Sequence, residues 1–161
     1  MSHRFEKLLP GFGIDDKTRR GLSGIAPLIA RVAPNALKRL YAGLRENPEA
    51  ARHFASEEAL LGAQAKQLEH WQAMLSTRLS AEYIARAETI GKIHARVGLD
   101  SGLYFGAYAH VLGDLIETMS VRGWRRLLPW AGRDGRRTAG LIRAAIFDMN
   151  IAITMVMENM L

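Results

Sequence analysis

Residues 80–99 read SAEYIARAETIGKIHARVGL, and the reading of this stretch decides the fold. Ser80 stands where a helix cap is wanted, Glu82 falls in the first turn, and Gly98 ends the run. On the helix between them, Ala87, Ile90, Gly91, His94 and Val97 recur at three and four and share one face. One imidazole therefore stands on a stripe of apolar and small residues. Two readings follow. A helical histidine is most often a surface residue or a satisfied core residue. The other reading is a single axial nitrogen for a flat apolar group, with Gly91 leaving room for its approach.

The chain reads helical on both sides of that stretch. Apolar residues recur at helical spacing, β-branched runs are missing, and Gly and Pro punctuate the sequence. Asp15 or Asp16 is placed to cap a helix reaching about Val32, and Pro34 suits the first turn of the next, which ends at Asn47-Pro48. A short helical turn reaches Phe54, and Ser56 with Glu57 and Glu58 opens a helix to about Leu75. Ser101 caps another, to about Val121; an arginine-rich loop then leads to a last helix from Thr138 to the final residue. No strand pattern or internal repeat appears, so the sequence predicts an all-α chain of six or seven helices.

From Leu141 onward the only charges are Arg143, Asp148 and Glu158, and Met149, Met155, Met157 and Met160 add to the apolar surface. Apolar residues wrap this helix more fully than one core-facing stripe requires. A second buried face implies a second copy of the chain. The uncapped stop at Leu161 reads as the edge of a longer protein, with a further domain beyond it.

Composition narrows the classes. At 161 residues, the chain has room for one domain around one core. Its 48% hydrophobic and 24% charged residues are those of an ordinary globular domain. The absence of cysteine excludes a disulfide scaffold, a thiolate zinc site, an iron–sulfur cluster and a cysteine nucleophile. It also fits a reducing cytoplasm, the expected location. No stretch reaches the roughly 18 uncharged apolar residues of a membrane span. The closest, 144–157, contains Asp148 and Asn150, so no membrane insertion is expected. Residues 1–10 lack the apolar run of a signal peptide.

The 22 basic and 16 acidic side chains leave a charge of +6. Seven arginines against one acid, Asp134, place that whole surplus between residues 122 and 143. These arginines sit among Gly123, Pro129, Gly132 and Gly135, which reads as a solvated loop pinned by Trp124 and Trp130. No nucleic-acid partner is expected.

Catalytic signatures are scarce. There is no glycine-rich phosphate loop, no His-Glu-x-x-His, no Gly-x-Ser-x-Gly and no calcium-loop spacing of carboxylates. Of His3, His53, His70, His94 and His110, only His94 has the apolar stripe around it. The cofactor that suits such a residue is haem, because one histidine can hold the iron while the macrocycle fills an apolar pocket.

The motif Ile90-Gly91-x-x-His94-x-Arg96-Val97-Gly98-Leu99, followed by Tyr104 and Tyr108, resembles the proximal helix and its exit in the globin-coupled sensors. His70-Trp71, Leu75, Leu79, Tyr83 and Ile84 are similar to that family's approach to the helix, and Leu40-Tyr41 with Pro48 and Phe54 to its distal segment. The resemblance runs over roughly residues 15–157. It implies a globin fold of six to eight helices around a haem pocket. Residues 1–161 would be a single globin sensor domain, with an output domain beyond. By position, it implies haem b with His94 as the iron ligand, Tyr41 as the distal hydroxyl that hydrogen-bonds oxygen, and Tyr104 beside the proximal histidine.

Ile90 and Val97 share the stripe of His94, while Ala63 and Gln67 are the expected distal neighbours. Lys66 departs from the pattern. It would sit over a haem only by snorkelling outward; either the register slips by one, or Gln67 supplies a second polar contact. His70 matches a position away from the iron, His53 and His110 read as surface or packing residues, and the arginine loop is placed to neutralise haem propionates.

The function implied is an oxygen sensor, also open to carbon monoxide and nitric oxide, and not an enzyme. It would signal through a homodimer built on the last two long helices. A hydroxyl donor to a partly charged ligand contributes about 1.5–3 kcal/mol, so Tyr41 would favour oxygen over carbon monoxide. Two other classes remain: a redox-active single-domain globin acting on nitric oxide or peroxide, and a haem-free dimerisation module.

Overall fold

A computed structural model describes residues 3–121 and 131–159. The helices are α1 (His3–Glu6), α2 (Asp16–Ser23), α3 (Ala26–Glu46), α4 (Pro48–Ala51), α5 (Glu57–Ser76), α6 (Ala81–Arg96), α7 (Ser101–Val121) and α8 (Ala131–Asn159), with a 3-10 turn at Leu9–Phe12. No strand occurs among the described residues.

The helix starts follow their caps. Asp15 accepts the Thr18 amide at 2.7 Å, Ser56 that of Ala59 at 3.1 Å, and Ser80 that of Tyr83 at 3.2 Å. Each side-chain oxygen satisfies a donor that the first turn leaves open. Helix α7 differs from expectation by one residue: Asp100, not Ser101, accepts the Leu103 amide at 3.1 Å. Adjacent Asp and Ser are equally good caps, and only the backbone selects between them.

Two boundaries move further. The break expected near residue 33 falls at Gly24–Ile25, and α3 runs unbroken through Pro34. Pro27 takes the first turn instead, where a missing N–H costs nothing. Pro34 forfeits one helical hydrogen bond, but Ile29, Ala33, Ala36, Leu37, Leu40 and Tyr41 bury one continuous face across it. Helix α8 begins at Ala131 rather than Thr138, absorbing part of the segment read as a loop. Arginine is a good helix former, and the glycines among the arginines had argued the other way. Trp124, Trp130 and Arg122, Arg125 and Arg126 lie outside the described residues.

Helix α3 packs on α5 and α7, and α8 packs most extensively on α6 and also on α2 and α7. Gly91 sets the α6–α8 distance: a Cβ there would stand 2.9 Å from Ala152 Cα and 2.9 Å from Met155 Cβ. The glycine admits α8, not a cofactor, which corrects the reading of its role. The N-terminal segment closes the domain. Phe5 is buried, Phe12 meets Phe147 edge-on at 5.4 Å, and Arg4 pairs with Glu158.

Composition alone would let residues 135–158 of α8 cross a bilayer, so the internal charge does not exclude a span by itself. Half of that stretch is buried inside the domain, however, and Asp148 points into the core at 3% exposure.

Candidate functional site

Between α3, α5, α6 and α7 lies a cleft of about 330 Å³. Helix α3 gives it Leu40, Tyr41 and Leu44; the turn after α4 gives His53 and Phe54; α5 gives Ala63 and Gln67. Ile93, His94 and Val97 come from α6, and Leu103, Tyr104 and Tyr108 from α7. Four helices and the turn after α4 thus meet at one apolar space.

His94 stands on this wall with its ring edge-on to Tyr104, centroids 5.4 Å apart. Its Nδ1 is buried without a hydrogen-bond partner. Burial lowers its pKa below 6.5; the charge of His70 adds to that, and Asp148 opposes it. The imidazole is therefore neutral at neutral pH and keeps a lone pair to offer. Tyr41, tilted against Phe54 at 6.2 Å, is 8% exposed. Burial pushes its hydroxyl up to about 12, so it stays protonated and remains a donor.

The sequence-derived residues distribute as follows. His94, Tyr41, Tyr104, Ala63, Gln67 and Val97 line the cleft. Ile90 lies behind His94, facing a small inner void that also touches Gln67, His70, Asp148 and Ala152. Lys66 is exposed, as snorkelling requires, and the α5 register does not slip. His53, read as a surface or packing residue, is partly buried on the cleft wall, and its Nε2 is buried without a partner. Its place beside Phe54, in the segment carrying Tyr41, was the available signal. His110 is exposed and lies on a separate groove between α3 and α7.

The arginines of this segment whose side chains are described lie away from the cleft. Arg136, Arg137 and Arg143 line a groove between α2 and α8, where Arg143 donates to the Gly13 carbonyl at 3.3 Å. For these three, the propionate role is corrected. The α8 segment carrying them packs on α2, where a Cβ on Gly140 would stand 3.5 Å from Thr18 and 3.7 Å from Leu22.

A polar cluster that sequence reading missed sits behind the cleft. Asp148 of α8 accepts hydrogen bonds from the hydroxyls of Tyr83 and Tyr108 and lies 2.8 Å from His70 Nε2. His70, Tyr83, Tyr108 and Asp148 are all buried.

Haem fits the cleft on the chemistry of its donors. Among the described residues, no three His, Cys, Asp or Glu side chains meet to hold a bare metal ion. A metal at His94 would therefore bring most of its ligands with it, as a porphyrin does. Ile93 and Val97, two large apolar side chains flanking His94 on the cleft, are 50% and 49% exposed. They offer the surface that a flat apolar group would cover.

The fold is that of a globin. The domain superposes on the globin domain of a Geobacter sulfurreducens globin-coupled sensor with a TM-score of 0.77, covering 92% of this chain and 95% of that one at 17% identity. The family model of the protoglobins matches residues 1–160, and the chain belongs to that family. The family implies haem. No curated protein matches the sequence.

Proposed function

We propose that this domain is a haem-based gas sensor that takes oxygen in the cleft, with haem b as cofactor and His94 as iron ligand. The observation that carries this reading is a neutral imidazole and a protonated tyrosine hydroxyl lining one apolar cleft. Bound there, haem would supply an iron centre able to take a diatomic gas.

The chain's own residues do the rest. His94 offers a lone pair because burial keeps it unprotonated. Leu40, Leu44, Ile93 and Val97 exclude water from the faces of a flat group. Tyr41 offers a hydrogen bond that rewards a ligand gathering negative charge, and so favours oxygen over carbon monoxide. Gln67 and His53 are further polar groups on the same wall.

A homodimer through α7 and α8 supports signalling from this domain to a fused output domain in the cytoplasm, with no catalysis by the domain itself. On α8, Ile142, Ile146, Met149 and Ile153 follow one another at four and three and are only partly covered. On α7, Phe105, Ala109, Leu112 and Ile116 repeat the spacing. Two open seams of this period suit a bundle of helices from two copies.

The test is the His94→Ala variant with its haem content and visible spectrum measured. Loss of stoichiometric haem is expected. Wild-type haem content and an unchanged spectrum would remove His94 as ligand, and a wild-type chain without Soret absorbance would leave a haem-free helical module.

A further inference from the structure

Among the described residues Asp148 is the least exposed charged side chain, and nothing in the gas site uses it directly. It sits in the middle of α8 at 3% exposure, among partners from three other helices: His70 of α5, Tyr83 of α6 and Tyr108 of α7. Both tyrosine hydroxyls donate to its carboxylate, and His70 Nε2 lies 2.8 Å from Oδ2. Nε2 must carry a proton there, because a carboxylate only accepts.

Burial works to raise the Asp148 carboxyl, but the charge and hydrogen bond of His70, followed by the bonds of Tyr108 and Tyr83, hold it below 3.8. The group is ionised and fully engaged. A buried carboxylate with three donors is costly to place, and its partners are fixed by it.

The partners lead to His94. The Tyr108 ring packs on Tyr104 at 5.1 Å, and Tyr104 meets the His94 ring edge-on at 5.4 Å. Asp148 and His94 also border one inner void of only about 10 Å³, so the space between them has almost no slack. Tyr83 has a different place. Its ring stacks on His70 at 5.2 Å, and it lines neither the cleft nor the inner void.

We propose that Asp148 is a positioning residue for His94: its carboxylate anchors Tyr108, Tyr108 and Tyr104 fix the plane of the imidazole, and its negative charge strengthens that imidazole as a donor to iron. The orientation is set in the chain itself, while the donor effect rests on the haem reading above. Since α8 carries the carboxylate, the cluster also joins the dimer-seam helix to the iron ligand.

The test compares Asp148→Asn, Tyr108→Phe and Tyr83→Phe, each on the full chain, with and without haem. Without haem, the readout is the His94 ring resonance in a ¹H–¹³C spectrum, which reports the ring current of Tyr104. With haem, it is the iron–histidine stretching band of the ferrous protein and the midpoint potential.

Asp148→Asn and Tyr108→Phe are expected to move the His94 resonance, and Asp148→Asn to lower the stretching frequency and raise the potential. Tyr83→Phe, which removes a bond to the same carboxylate, is expected to cost thermal stability but leave these signals near wild type. Should Asp148→Asn fail to fold, Tyr108→Phe decides the matter. An unmoved His94 resonance in the folded variants, or an equal shift in Tyr83→Phe, would overturn the proposal. A wild-type protein with no iron–histidine band would strike the haem assignment instead, and the haem-free resonance would still judge the positioning.

Discussion

Tyr41 and His94 owe their chemistry to burial acting on opposite kinds of acid. For a phenol, burial disfavours the charged form and moves Tyr41 up to about 12; for an imidazole, it favours the neutral form and moves His94 below 6.5. Replacing Tyr41 with Phe is expected to speed oxygen dissociation by about ten- to over a hundredfold, the equivalent of about 1.5–3 kcal/mol, with a much smaller change for carbon monoxide. Stopped-flow dissociation of both gases checks it, and equal effects would refute the hydrogen bond. For His94 the sign follows from the lowered pKa: the unfolded chain takes up the proton more readily, so stability of the haem-free protein rises with pH through the window ending near 6.5. Urea midpoints measured across that window should show the slope, and His94→Ala should flatten it. That both residues stand on one cleft could be anticipated because short motifs surround them. The place of Asp148 could not: its partners stand at 70, 83 and 108, and a lone acid in an apolar helix carries no sign of which way it points.

At the scale of elements, the helices that the sequence marks with a cap and a stop, such as α5 and α6, are found within a residue or two of expectation. The misreadings have one physical root. Pro34 and the glycines near α8 have poor intrinsic propensity, and tertiary burial overrides them, which local sequence does not report. Gly91 carries the same lesson. Its small size reads equally well as space for a ligand or for a helix, and only the packing of α6 on α8 decides for the helix. Gly91→Ala would gain helix propensity in isolation. Here its Cβ would meet backbone at Ala152, which cannot yield as a flexible side chain does. We expect a net loss of about 1–3 kcal/mol, typical of overpacking, and a lower melting temperature. A melting temperature at or above wild type would show that α8 is free to move aside.

For the whole molecule, the question is what covers the seams of α7 and α8. Phe105 and Ile146 are 45% and 48% exposed, each on a run of apolar residues at coiled-coil spacing. Scattered apolar side chains are ordinary on any surface, but a row of them at helical spacing on each of α7 and α8 is not. The cluster at Asp148 faces inward from α8 while Ile146 faces outward, so one helix serves the core and the seam with opposite sides. In the double variant Phe105→Glu/Ile146→Glu, which puts a charge on each seam, neither substituted residue lines the cleft or bonds to Asp148, and the one neighbour shared with the cleft is Tyr104, 6.2 Å from the Phe105 ring. Wild type is expected to sediment as a dimer at micromolar concentration and the double variant as a monomer, with haem content unchanged. A wild-type monomer, or a double variant that still dimerises, would place the interface elsewhere. Loss of haem in the double variant would instead mean that the cleft depends on the second copy.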